Sequence, residues 1–335
     1  GFAQLGVEIY GGPILATFTD RDLSLAGRIS YHDGQGHIAH KRVRFDQPLL
    51  RIPNLAIHMN RSVNEEGLKL QKQTELLPLF AQLTDEQLPK PYFMQLLAQA
   101  TGLTAEQILS WDLAVYDTQK GVFWGAANEF YANSQIDNLA SCHAGLQALL
   151  DDQVLNQSQH TLVCAFFDHE EVGSESHIGA AGSFLSDTLQ RIALALALDR
   201  EDSARTLANS FLISADMAHA YHPNYPNAYD VNHKVFVNQG PVIKSNANRR
   251  YSSESISIAQ FIHWCQAANV PYQHYSHRND LACGSTIGPL ASAKLGIRSI
   301  DIGCPMWAMH SIRESAGVYD HEYLIKVLKQ FFLGT

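Results

Sequence analysis

The sequence predicts an α/β protein in which a helix-covered, mostly parallel sheet is joined to a second, β-rich unit. Three observations lead there. From Gly121 onward apolar strand-like runs alternate with helical stretches, the signature of a sheet with helices on its faces. The run Leu162 to Phe167 is continuously apolar, as a strand buried on both faces would be. Residues 1 to about 117 show a different grammar of short alternating strands and turn signals.

In chain order, Phe2 to Tyr10 alternates like a strand. Arg28–Asp33 and His40–Phe45 read as strands joined by the hairpin signal Asp33-Gly34-Gln35-Gly36. Leu49–His58 is apolar, and Pro53 confines it to an edge or a break. Gln71–Leu83 reads as a linker, followed by helices over Tyr92–Ala100 and Thr104–Ser110, the second opened by a Thr104–Gln107 capping box. No chemical motif falls in this part, so it reads as an interaction or oligomerisation module. Beyond Gly121 the expected helices are Leu139–Leu150, Ile178–Leu198, Ser253–Ala268, Ser285–Leu295 and Tyr323–Phe332. Leu162–Phe167, Phe211–Asp216 and Ile297–Ile302 are the expected strands, the first of them central.

The 335 residues suffice for one large or two ordinary domains. A net charge of -9 argues against nucleic acid or an anionic membrane as partner. Five dispersed cysteines without C-x-x-C spacing read as reduced thiols of a cytoplasmic protein. No run of 18 apolar residues suggests a membrane span. The chain opens at Gly1 without Met, directly into a strand-like run, which suggests that residues precede it.

Chemistry concentrates where apolar segments end. Leu162–Phe167 runs into Asp168, His169, Glu170 and Glu171, followed by the turn-former Gly173. Ligands of open α/β sheets sit beyond the carboxyl ends of the strands. Adjacent carboxylates repel unless a cation lies between them or one is protonated. A Glu-Glu pair there suggests one group on a metal and the other free as a base, or else a solvated acidic loop. Asp137 precedes a helix and can serve as its N-cap. Asp216 ends a strand, and His310 can be an ordinary loop histidine. Together these groups supply carboxylate and imidazole donors of the kind that hold hydrolytic zinc. A two-metal hydrolase needs a shared carboxylate, terminal ligands and a base for its water.

Five separated segments carry a resemblance. Ile136-Asp-Asn-Leu139, Asp168-His-Glu-Glu-Val-Gly-Ser174, Ser214-Ala-Asp-Met-Ala-His219 with His222-Pro-Asn224, Lys244-Ser-Asn-Ala-Asn-Arg-Arg-Tyr251 and Met309-His-Ser-Ile-Arg-Glu314 resemble, in order, the M18 metallopeptidases, the aspartyl aminopeptidases. Gly6-Val-Glu-Ile-Tyr-Gly-Gly12 and Phe18 to Gly27 match as well. The resemblance implies a zinc-exopeptidase type of fold, with residues 1–10 as a strand of the catalytic domain, 11–117 as a dimerisation or oligomerisation domain and 118–335 as the catalytic domain. It implies that Asp137 bridges two zinc ions, that Asp216 is a terminal ligand of one and that Glu171 and His310 are those of the other. Glu170 would be the general base. Lys244 and Tyr251 match positions used around substrate, with Arg249 and Arg250 as competitors for the cation that an acidic side chain requires. His219 would assist substrate binding or serve structure, and His58 matches a histidine that reaches a neighbouring subunit's site. The implied reaction is release of N-terminal Asp or Glu from short peptides by a homo-oligomer, a tetrahedral dodecamer among its relatives.

The match has a gap. The family's remaining histidine ligand lies in a His-x-Asp-Ser-Pro segment, which occurs nowhere in these residues, and His32 lacks its context. That ligand belongs upstream of Gly1, and the 335-residue chain by itself is expected to have little or no peptidase activity. Asn133-Ser-Gln135 also stands where many relatives have Pro-Arg. Two rivals remain open: a self-compartmentalising aminopeptidase of other selectivity, similar to the M42 enzymes, and a truncated, non-catalytic assembly or peptide-binding subunit. Mn2+ or Co2+ suits the same donors as Zn2+.

Overall fold

A computed structural model describes residues 1–84 and 87–334. The chain divides into two compact units, Gly1–Lys120 and Gly121–Thr335.

The first unit contains β1 (Phe2–Gln4), β2 (Leu23–His32), β3 (Ile38–Arg44), the one-turn α1 (Val63–Glu66), β4 (Leu79–Gln82), α2 (Pro89–Thr101) and β5 (Ile108–Asp117). The hairpin signal forms the turn between β2 and β3. Asp33 Oδ1 accepts the Gln35 and His37 amides at 2.7 and 3.1 Å, replacing ladder bonds that the reversing chain gives up. β2 is the centre of a β3-β2-β5 sheet, antiparallel throughout. Ile29, Val43, Leu97 and Ile108 close a small core between that sheet and α2. The capping box at Thr104 and Gln107 forms, but it closes only a 3-10 turn, Ala105–Gln107. The expected helix stops there, because the β-rich run Ile108 to Asp117 pairs with β2 instead. Leu49–His58 contributes isolated bridges at Leu50 and Arg51 and no strand. β1 pairs antiparallel with β4 inside this unit.

The second unit contains β6 (Val122–Trp124), β7 (Phe130–Asn133), α3 (Ile136–Leu149), α4 (Asp152–Gln157), α5 (Phe184–Ala195), α6 (Arg200–Ala208), β8 (Phe211–Ala215), β9 (Ala218–His219), β10 (Val242–Ser245), α7 (Ser255–Ala267), β11 (Gln273–Ser276), α8 (Ile287–Leu295), β12 (Arg298–Gly303), β13 (Pro305–Trp307), β14 (Glu314–Gly317) and α9 (Val318–Leu333). One sheet runs β11-β10-β12-β8, with β10 parallel to β11, β12 parallel to β8 and an antiparallel junction between them. The other runs β6-β7-β14-β13-β9 and is antiparallel except between β13 and β9. The architecture is therefore α/β with mixed sheets.

Helical periodicity turns Phe261, Trp264 and Cys265 of α7 and Leu324, Val327 and Leu328 of α9 toward Ile300 and Ile302 of β12. Ala144 and Ala148 leave α3 a narrow inner face and belong to the same core. At roughly 25 cal/mol per Å2 of apolar surface, each large side chain buried there stabilises the fold by about 2 kcal/mol.

Two expectations fail here. Residues 161–167 form no strand and alternate between half-buried and exposed, since a strand requires a hydrogen-bonded neighbour and none pairs with this run among the described residues. The long helix expected over Ile178–Leu198 begins at Phe184, because the chain from Ser174 to Gly182 is folded into turns closed by Ser174 and Gly179 carbonyls.

Candidate metal centre

Each candidate group stands at an element boundary where the backbone leaves regular geometry. Asp137 is the second residue of α3, where Gln135 is left-handed (φ 55) and Asp137 and Asn138 are not yet helical. The Asn138 side chain donates to the Ala215 carbonyl at 2.8 Å, which ties this corner to the end of β8. Asp216 follows directly, and its amide donates to Ile302 of β12 at 2.9 Å. Gly303 is required beside it: a Cβ there would lie 1.7 Å from the Asp216 carbonyl oxygen. Glu170 and Glu171 occupy one 3-10 turn, Glu170–Val172, between left-handed His169 and Gly173. The His169 carbonyl accepts the Ser174 amide at 2.8 Å and closes the turn. His310, also left-handed (φ 68), lies between β13 and β14.

These boundaries converge. His310 Nε2 lies 3.3 Å from Asp137 Oδ2 and 3.2 Å from Glu171 Oε2. One donor atom from each of Asp137, Glu171 and His310 falls within 4.8 Å of the other two. The cleft around them is also lined by Glu170, Asp216, His219, Lys244 and Tyr251. The structure thus brings together every predicted site residue except His58. That residue lies in the first unit, on an exposed loop between Leu55 and Met59.

Burial and crowding dominate the electrostatics. Burial first, then the Glu171 and Asp137 charges, pushes Glu170 up to about 7. Burial raises Glu171 as well, against the pull of His310. Burial raises Asp216 to about 7 despite Lys244, whereas the His310 and Asp216 hydrogen bonds outweigh burial at Asp137 and hold it below its ordinary value. Burial, then Lys244, lowers His219 to about 4, leaving a neutral imidazole at neutral pH. Lys244 is itself buried. Its ammonium donates to the Met217 carbonyl at 2.7 Å, pairs with Asp216 at 3.4 Å and sits 5.5 Å from the Tyr251 ring centre.

The donor set fits a divalent cation. Four carboxyl groups share one cleft with a single lysine and two histidines, and the burial and crowding that push Asp216 up to about 7 mark a place where a cation would relieve the same repulsion. Asp137, Glu171 and His310 offer the mixed oxygen and nitrogen donors of a hydrolytic zinc site.

Sequence reasoning passed over Glu314, Tyr275 and Thr286. Glu314 Oε2 accepts the Asp137 amide at 2.9 Å and Oε1 the His310 amide at 2.7 Å, and the side chain is 2 % exposed. Its signal was its place four residues after His310 in a segment already singled out. Tyr275 and Thr286 line the cleft from β11 and the N-cap of α8, and nothing in their local sequence marks them.

A rim of carboxylates and imidazole on a helix-covered mixed sheet defines a metal-dependent hydrolase. The family described as aminopeptidase I zinc metalloprotease (M18) matches residues 1–332, and the chain belongs to it. A probable M18 family aminopeptidase 2 of Pseudomonas savastanoi is 46% identical over 334 residues, covering 99% of this chain and 76% of that protein. Its counterpart in Stutzerimonas stutzeri is 47% identical over 336 residues, with the same coverages. Among solved structures, the Ape4 and Nbr1 complex matches with a TM-score of 0.94 at 39% identity, covering all of this chain and 67% of that one. The S. cerevisiae mApe1 dodecamer matches with a TM-score of 0.81 at 26% identity, over 99% of this chain and 73% of that one. The protein is a zinc aminopeptidase of the M18 family, with that family's two-domain exopeptidase fold.

Proposed function

We propose that this aminopeptidase releases N-terminal Asp or Glu from peptides, with two divalent cations held at the cleft and Glu170 as the base. One observation carries the reading: the donors of Asp137, Glu171 and His310 gather within 4.8 Å in the cleft that Glu170 and Lys244 also line. Asp137 would be shared between the ions, with Glu171 and His310 completing one and Asp216 contributing to the other. A zinc ion held by these residues would supply Lewis acidity to the attacking water and the scissile carbonyl. Glu170 accepts a proton from the attacking water on a carboxylate oxygen and returns it to the departing amine nitrogen as the C–N bond breaks. Glu170 is close to the cluster without belonging to its closest donor trio, which keeps its oxygens free for that transfer.

Lys244 supports the acidic preference. An ammonium has three donors, and two are engaged by Met217 and Asp216, leaving one for a substrate carboxylate. Tyr251 packs beside it, and neutral His219 supplies a donor or acceptor to the bound peptide. Assay of Asp-, Glu- and Leu-linked chromogenic amides tests the selectivity. A Leu preference would favour the M42-like alternative.

A zinc titration of the metal-free protein tests the donor count. The trio should bind more tightly than Asp137 with Asp216, giving two unequal sites. Two equal sites would remove the assignment. A homo-oligomer is the proposed working form, supported by the dodecameric relative and by the exposed Leu55, Ile57 and Met59 on the loop that carries His58. His58 would then approach a neighbouring copy's cleft.

A further inference from the structure

We propose that Glu314 is a positioning residue that sets the metal ligands Asp137 and His310 before any cation arrives. The inference rests on the metal-holding reading above. Each ligand-bearing segment includes backbone that a chain does not adopt readily: His310 itself has φ 68, and Gln135, two residues before Asp137, has φ 55. Non-glycine residues in the left-handed region persist only where their surroundings over-determine them. Glu314 supplies that constraint at both places. One oxygen takes the Asp137 amide and the other the His310 amide, so a single carboxylate spans two segments 173 residues apart in sequence (310 against 137).

The reach follows from the sheet. β14 pairs with β7 in a register that sets Glu314 opposite Asn133, four residues before Asp137. The side chain extends from that fixed point toward the corner where α3 begins, while its own strand starts four residues after His310. A carboxylate buried to this degree is retained only where its oxygens are used. Here both are used on ligand-bearing backbone, and neither Asp137 nor His310 spends its metal-donor atom on the contact. The arrangement is the backbone equivalent of the partners that orient metal-binding side chains.

Zinc affinity of the metal-free protein, measured by competition with a chromophoric chelator, separates this inference from the reading beneath it. If Asp137→Ala and His310→Ala leave wild-type affinity unchanged, the metal assignment itself fails. If they weaken it, Glu314→Gln decides the further point. The amide keeps the shape but presents an N–H2 to one of the two backbone N–H groups, so one bond is lost. Zinc affinity should then fall about 10- to 100-fold, with near-UV dichroism retained. Folded Glu314→Gln with affinity within about twofold of wild type overturns the proposal, a threshold well below the expected change.

A second measurement needs no variant. In metal-free wild type the Asp137 and His310 amides should exchange with solvent at least about 100-fold more slowly than in an unstructured chain, as preformed hydrogen bonds require. Exchange at unstructured rates would overturn the proposal even if Glu314→Gln failed to fold.

Discussion

Glu170 and Glu171 are neighbours in one turn, yet their surroundings give them different work. Glu171 Oε2 faces His310 within the donor trio, whereas Glu170 is held up near 7 by burial and by the carboxylates beside it. Glu170→Gln should therefore reduce turnover by about 10^2- to 10^4-fold while zinc stoichiometry by atomic absorption stays unchanged. Equal turnover would take Glu170 out of the reaction. Lys244 invites a sharper comparison because it already serves Asp216. Lys244→Met should lower kcat/KM for an Asp-linked amide by about 30-fold or more and spare the Leu-linked one. An equal fall with both would assign Lys244 to holding Asp216 instead. At this scale the candidate site was legible because ionisable groups ending apolar runs are conspicuous, and because the segments at residues 136, 168, 214, 244 and 309 resemble one family in order. Glu314 was not, since its contribution lies in two bonds to backbone across 173 residues, which local sequence does not display.

Elements were legible where one local signal decided them. The Asp33 turn, α2, α7, α8 and α9 stand where turn chemistry and 3.6-residue periodicity put them, α9 beginning five residues earlier than expected. The failures share a cause, which is dependence on partners that local pattern cannot reveal. The Thr104 capping box opens a turn that β2 then claims as β5, and the apolar run at 161–167 lacks a ladder neighbour among the described residues. Asp320, near the start of α9, gives a test of how tertiary burial governs such an element. Its carboxylate accepts the Asn238 and Gly240 amides at 2.5 and 2.8 Å, pinning that loop to the helix, yet burial outweighs these bonds and lifts its pKa to about 7. The folded chain thus holds a proton that the unfolded chain, with an ordinary Asp, releases near pH 4. The stability associated with that proton is complete below about pH 4 and is lost as pH rises toward 7. Urea unfolding of wild type and Asp320→Asn should show wild type losing ground by a few kcal/mol over that window, and a constant difference from pH 4 to 8 would refute the assignment.

The whole molecule joins a unit whose one candidate residue is His58 to one that holds the cleft. That division suits an enzyme whose first unit serves assembly. In the first unit Leu55 is 68% exposed, Ile57 47% and Met59 74%, on a short loop that its own core does not cover. Scattered apolar residues on a surface are ordinary, but three on one five-residue loop form a patch that water disfavours and a second copy can cover. The proposed metal donors, by contrast, come from residues 137, 171, 216 and 310, all in the second unit. Assembly and zinc binding should therefore separate. Replacing Leu55, Ile57 and Met59 by Ser should shift sedimentation toward smaller species while zinc affinity stays within about twofold, since distant and independent sites contribute nearly additively. Activity on an acidic peptide should fall with the shift if His58 works in a neighbour's cleft, and His58→Ala in the intact assembly should reproduce that loss without changing sedimentation. If the triple variant sediments as wild type does, this loop is not the contact that builds the oligomer.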